Sequence, residues 1–227
     1  VSYGDKFIND GFIGDNIIAM AQSRSSTQAR APRRAPKMPV EERRAQLLRC
    51  ALRAFSSEGI GSAGHADIAA EAHVSVPTVF DYFPTRTALI EAVVDEVERF
   101  FSARSSSAIS RLHTARGQLA AVLQDFADSC DTHPEYARVW VNWGTSFQKK
   151  IWPYYQRFMT GSMKFHRELI EAGLRRGETL QHVDPDRLTY LVIGTSTTIV
   201  QMKMQNVDPR WIAQYLDAVV AMALDQK

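Results

Sequence analysis

The segment HADIAAEAHVSVPTVFDYF, residues 65–83, constrains the chain most. It holds two short amphipathic stretches, about His65–Ala72 and Val76–Tyr82, joined by a tight turn, with Ser75 placed to cap the second. Ile68, Ala69, Val74, Val76 and Val79 recur at the spacing that locks two helices at a steep angle, and small Ala69 and Ala70 permit close approach. Two helices related in this way within a three-helix cluster form a helix-turn-helix. The second helix would then present Ser75, Pro77, Thr78, Asp81 and Tyr82 outward. A helix fits the major groove of duplex DNA, where base edges differ.

The flanking sequence also reads as helix. Glu41–Ser57 puts Leu47, Leu48, Ala51, Leu52 and Phe55 on one face, with Glu41 and Glu42 at its start and Gly59 and Gly61 after its end. Thr85 can cap a longer helix running to about Phe101, followed by a loosely patterned serine-rich stretch, 103–110. Further helices are predicted at about Gly117–Cys130, Pro134–Lys150, Trp152–Arg176, Pro185–Gln205 and Pro209–Asp225. Pro134, Pro153, Pro185 and Pro209 all lie near helix starts, where proline is tolerated. Strand-length alternation is absent, so the expected class is all-α. The expected division is an N-terminal extension and basic arm (1–39), a helix-turn-helix domain (40–86) and a helical ligand and dimerisation domain (87–227).

Charge distribution says more than the net charge of +2. Arg24–Arg53 carries nine basic and two acidic residues. The part before residue 40 mixes Arg30, Arg33, Arg34 and Lys37 with Ser, Gln and three prolines, a composition that cannot order itself. It reads either as a solvated tail or as an arm that neutralises phosphate; its position beside the reading helix favours the arm. Glu91, Asp95, Glu96 and Glu98 read as a solvated face turned from DNA. Residues 1–19 have neither the basic start nor the apolar run of a secretory signal, and Met20 is the expected translation start.

Other function classes find little support. The six histidines show no metal-ligand spacing; HExxH, CxxC and a phosphate loop are missing, so neither catalysis nor a metal or cofactor is expected. Cys50 and Cys130 cannot build a disulfide framework, and buried thiols in a reducing compartment are the simpler reading. No apolar run approaches the ~18 residues that span a bilayer. Two rivals stay open: an architectural protein coating DNA without sequence preference, and a ligand-binding module that has lost DNA binding.

GIGSAGHADIAAEAHVSVPTVFDYFPTRTALIEAVVDEV resembles the DNA-binding domain of the tetracycline-repressor (TetR) family. GHADIA, HVSV, TVF-x-YFPTR and the later VW-x-x-W and WP segments resemble its LuxR/HapR group of quorum-sensing master regulators. The resemblance implies an all-α, cytoplasmic homodimer on a double-stranded, imperfectly palindromic operator, with Val76–Tyr82 as recognition helix. It further implies phosphate contacts from Tyr82 and Arg86, a place near the DNA backbone for His65, and an arm (Arg30, Arg33, Arg34) in the minor groove. Pro77 and Asp81 depart from the alanine and asparagine of that pattern. An aspartate only accepts hydrogen bonds and is repelled by phosphate, so a shifted base preference is expected.

In the second half, Val139, Trp140, Trp143 and Phe147 share a helical face that reads as core or as the wall of a pocket for a small apolar ligand, with Asn142 and Gln148 as its polar contacts. Leu188, Leu191, Val192, Thr195 and Ile199, with Trp211, Tyr215, Leu216 and Val219, give the last two helices apolar faces. These faces suit the chain's own core, a four-helix subunit bundle, or both.

Overall fold

The computed structural model describes residues 38–60, 62–145, 152–178 and 184–224, all within one unit, and all regular structure among them is helical. α1 (Val40–Glu58) begins with Glu41 and Glu42 in its first turn, where acidic side chains oppose the helix dipole. It ends at Gly59, whose φ of +86° suits a residue without a Cβ. Its buried stripe, including Leu47, Ala51, Leu52 and Phe55, packs on α2 (His65–Ala72) and also on α6 (Pro134–Thr145).

α2 stops at His73, which takes the left-handed conformation (φ +54°) and donates its backbone N–H to Ala69 and Ala70 carbonyls. α3 (Val76–Tyr82) then starts under the Ser75 cap, whose Oγ accepts from the Thr78 N–H at 3.3 Å. At the other end of the motif, the Gly64 N–H donates to the Asp67 carboxylate at 2.7 Å, closing the start of α2. These devices fix the turn that the sequence requires.

α4 (Arg86–Ile109) is capped by Thr85, which accepts from the Ala88 N–H at 3.0 Å. It continues past Phe101 through the serine-rich stretch, where the sequence reading ended it. The reason is tertiary: Arg104 makes a bidentate ion pair with Asp125 at 2.9 and 2.7 Å, and Phe101 packs on Phe126. α5 (Ala115–Thr132), α7 (Trp152–Arg175), α8 (Pro185–Met204) and α9 (Pro209–Leu224) complete the described helices. α6 was expected to reach Lys150; residues 146–151, with Phe147 and Gln148, lie outside the described residues, as do the basic arm and Met20.

Of the acidic residues of α4, Glu91 and Asp95 are exposed, as a solvated face requires, but they also pair with neighbouring helices. Tyr154 donates to Glu91 at 3.2 Å, Tyr136 donates to Glu96 at 3.0 Å, and Arg157 pairs with Asp95 at 2.5 Å and approaches Glu98 at 3.8 Å. They tie α4 to α6 and α7, and α4 follows α3 after only three residues. Both cysteines are buried free thiols; burial pushes Cys130 up to about 12, which leaves it protonated and inert. No described helix is long and apolar enough to cross a membrane.

Candidate nucleic-acid interface

Ile68, Ala69 and Val79 are buried at the α2–α3 contact. Val76, expected among the locking residues, is instead 38% exposed, because α3 rotates it outward beside Phe80, which is 45% exposed. The outer surface of α3 therefore carries Ser75, Val76, Pro77, Phe80 and Asp81, with Thr78 and Tyr82 half-buried at its edges. Phe80 was missed because an aromatic residue in a short helix reads as core. Its position four residues after Val76, which was itself expected to lock the helices, pointed it inward as well.

The chemistry of this surface suits base edges. Val76 and Phe80 offer apolar contact to thymine methyl groups, and Asp81 is an acceptor with no ion-pair or hydrogen-bond partner among the described residues. Thr78 Oγ1 lies 2.8 Å from Ser75 Oγ, so the two hydroxyls orient each other. Arg86 is exposed beyond the end of α3, and its Nη2 donates to the Ile60 carbonyl at 3.3 Å, which steadies the guanidinium against α1's end.

His65 does not lie on the surface. It is 8% exposed, its Nε2 donates to the Phe83 carbonyl at 2.7 Å, and its ring stacks on Phe80 at 4.0 Å. It touches the reading surface from behind.

In the second half, Val139 and Trp143 are fully buried core, and Asn142 borders a different cleft, against Ser56 and Ser57 of α1. Of that aromatic group only Trp140 lies at the cavity between α4 and α7, where it borders an inner recess. That cavity measures about 150 Å³, and the recess, of about 50 Å³, reaches α5 and α8. Phe101, Ser105, Phe158, Ser162 and His166 border both parts.

Leu188, Val192, Thr195, Ile199, Leu216 and Val219 are buried within the chain, where α8 meets α5 and α7 and α9 meets α5. What remains outward on these helices is a second apolar set: Tyr190 (66% exposed), Leu191, Trp211 (68% exposed) and Met222, with Tyr215 half-buried.

An all-helical chain with a capped helix-turn-helix and an exposed reading face is a helix-turn-helix DNA-binding protein. Residues 47–93 match the model of the bacterial regulatory proteins of the tetR family. The chain is 33% identical over 158 residues to the HTH-type transcriptional regulator LuxR of Vibrio harveyi, covering 70% of this chain and 77% of that relative. The fold is shared with FadR from Bacillus subtilis, solved in complex with stearoyl-CoA (TM-score 0.67, 17% identity, 78% of this chain and 96% of that one). It is shared also with the ketosteroid regulator KstR2 of Mycobacterium tuberculosis (TM-score 0.65, 16% identity, 83% and 98%). The chain belongs to the TetR family of transcriptional regulators.

Proposed function

We propose that this regulator works in the cytoplasm by binding rather than catalysis, as a homodimer whose two α3 helices read successive major grooves of an imperfect palindrome. The observation that carries this is the outward face of α3, where Val76, Phe80 and Asp81 are exposed beside the Ser75–Thr78 pair. In this reading Ser75, Val76, Pro77, Thr78 and Asp81 specify bases. Tyr82 and Arg86 hold phosphate, Arg30, Arg33 and Arg34 enter the minor groove, and His65 positions α3. Residues 1–39 form the arm, 40–86 the reading domain and 87–227 the regulatory and dimerisation domain.

Tyr190, Leu191, Trp211, Tyr215 and Met222 form the subunit contact in this reading. An exposed apolar set on two adjacent helices is the pattern expected of an interface, and two copies related by a two-fold axis make a four-helix bundle. The α4–α7 cavity is the small-molecule site. A ligand there alters DNA binding only by binding the competent and incompetent states with different affinity.

Selection from a random duplex library tests the reading, followed by anisotropy titration of the winner and a scrambled duplex at two salt concentrations. The expected result is a palindromic winner bound about 10³-fold or more above the scrambled duplex. Equal, steeply salt-dependent binding to both would instead mark an architectural protein. Failure to bind either would mark a ligand-binding module.

A further inference from the structure

Phe101, Phe158 and Phe165 line the cavity between α4 and α7 among several serines, and Phe126 and Trp140 border its inner recess. Phe101 packs on Phe126 with centroids 5.2 Å apart, Phe126 meets Trp140 edge-on at 5.5 Å, and Trp140 meets Phe158 edge-on at 6.5 Å. Aromatic rings prefer such offset and edge-to-face neighbours, so this wall favours a flat ring as guest. Size sets the scale. A dry apolar cavity of about 150 Å³ accommodates benzene, and this one has that volume with the small recess beyond it. The space cannot enclose a long acyl chain.

Charge narrows the class further. Neither lysine nor arginine borders the cavity or its recess among the described residues. Asp125, which borders the recess, is neutralised by the bidentate Arg104 pair, and Glu98 at the mouth faces Arg157. A carboxylate or phosphate on the guest would be buried without a counter-charge, at high cost. The guest is neutral.

One polar group then fixes its chemistry. His166 Nδ1 lies 2.8 Å from the Ser162 carbonyl of its own helix. A carbonyl only accepts, so Nδ1 carries the proton, and in the neutral ring Nε2 is a bare acceptor. Burial lowers the pKa of His166, which keeps the ring neutral. Nε2 has no hydrogen-bond partner among the described residues. Trp140 borders only the small inner recess, and its indole N–H, unpaired among the described residues, is buried, so a guest in the cavity does not reach it. The cavity thus offers His166 Nε2 as its unused acceptor among the described residues. A hydroxyl satisfies it by donating its one hydrogen bond.

We infer that the α4–α7 cavity binds a neutral, one-ring aromatic alcohol, a phenol, whose hydroxyl donates to His166 Nε2. This rests on the reading of the regulatory half as a small-molecule site and adds the class of ligand. In an apolar cavity without polar partners, a methyl group outcompetes a hydroxyl, because the hydroxyl loses its water. A site built to bond the hydroxyl reverses that order.

The test uses 4-fluorophenol and 4-fluorotoluene, which differ only in hydroxyl against methyl, titrated into the full-length protein by ¹⁹F NMR. The phenol should bind at least several-fold more tightly. His166→Phe should reverse the order, and Ser105→Phe, which fills the cavity from α4, should abolish binding of both. Ser162→Leu fills it from α7 and serves if Ser105→Phe does not fold, as judged by circular dichroism. Equal or tighter binding of the toluene by the unaltered protein overturns the phenol assignment while leaving the small-molecule site standing. Undiminished binding to a folded filled variant overturns the cavity as the site, and binding of neither probe overturns both. Operator titration without a probe tests the DNA-binding reading on its own.

Discussion

The imidazole of His65 lies flat against the ring of Phe80, with centroids 4.0 Å apart and planes within 6° of parallel. Its Nε2 also donates to the Phe83 carbonyl at 2.7 Å. The first residue of α2 thereby grips both the outward ring of α3 and the residue that ends it. Neither contact reaches DNA, yet together they set the orientation of the reading helix. His65→Ala removes a buried hydrogen bond and a ring stack, each about 1 kcal/mol, for a total near ~2 kcal/mol by urea denaturation. His65→Phe keeps the stack and leaves the Phe83 carbonyl without its donor, so it should fall between the two. Both substitutions should weaken operator binding in anisotropy titrations while the helix content of the folded protein stays constant.

Asp81 stands on the exposed face of α3 with no counter-charge among the described residues. Against DNA it is repelled by phosphate and can accept only, which suits the amino group of cytosine. Asp81→Asn adds a donor and removes the charge. The expected outcome is tighter binding with a shallower penalty at low salt, and a change from cytosine to adenine at one position of each half-site. Repeating the duplex selection with the variant measures this; an unchanged base preference would remove Asp81 from the reading set.

The helix-turn-helix was legible because its determinants are local. The Ser75 cap, the Ile68/Ala69/Val79 spacing and the Phe83-Pro84 break each act within a few residues, and α2 and α3 fall where the sequence put them. What was not legible depended on partners distant in the chain. The extension of α4 beyond Phe101 rests on Asp125, and the pairing of its carboxylates on Tyr136, Tyr154 and Arg157. The same limit governs the second half. Helical spacing correctly marks Leu188, Val192 and Ile199 as one apolar face, but it cannot say whether that face meets the chain's own α5 or a second copy. The structure turns that face inward and leaves Tyr190 and Trp211 outside.

The arm carries the clearest electrostatic expectation. Each phosphate neutralised on duplex DNA contributes about 0.9 to the slope of log affinity against log salt. Replacing Arg30, Arg33 and Arg34 with alanine should flatten that slope by roughly three units. Because minor-groove contact distinguishes bases weakly, the major-groove preference selected from a random library should be retained. Anisotropy across a salt series gives the slope directly.

The assignment of the subunit contact separates two sets of residues on the same helices. Leu191→Glu and Trp211→Glu place charges on side chains that are already exposed in the single chain. They should yield a folded monomer by light scattering, with unchanged thermal unfolding at low concentration and a large loss of affinity for palindromic DNA. Val192→Glu buries an unpaired charge in the core of one subunit and should unfold the chain instead. If Leu191→Glu and Trp211→Glu both leave a dimer intact, the subunits meet elsewhere.

His166 gives a pH dependence whose sign follows from burial. Its pKa in the folded protein is lowered from the ordinary 6.5, chiefly by desolvation, with the Ser162 carbonyl opposing. Below about 6.5 the unfolded chain therefore takes up a proton that the folded chain refuses, and stability falls as pH falls. Above about pH 7.5 both states are neutral and the group contributes no slope. One proton limits the effect to about 1.4 kcal/mol per pH unit. Urea denaturation from pH 8 to 5 should thus show a loss for the unaltered protein that His166→Phe lacks, while Glu98 and the Asp125–Arg104 pair near the cavity are the same in both. A phenol bound to the neutral ring holds His166 unprotonated, so 4-fluorophenol should bind more weakly wherever His166 becomes charged. The stability loss should set in near pH 6.5 and level off at the lower pH where the affinity for the phenol begins to fall, and that match would trace both to a single imidazole.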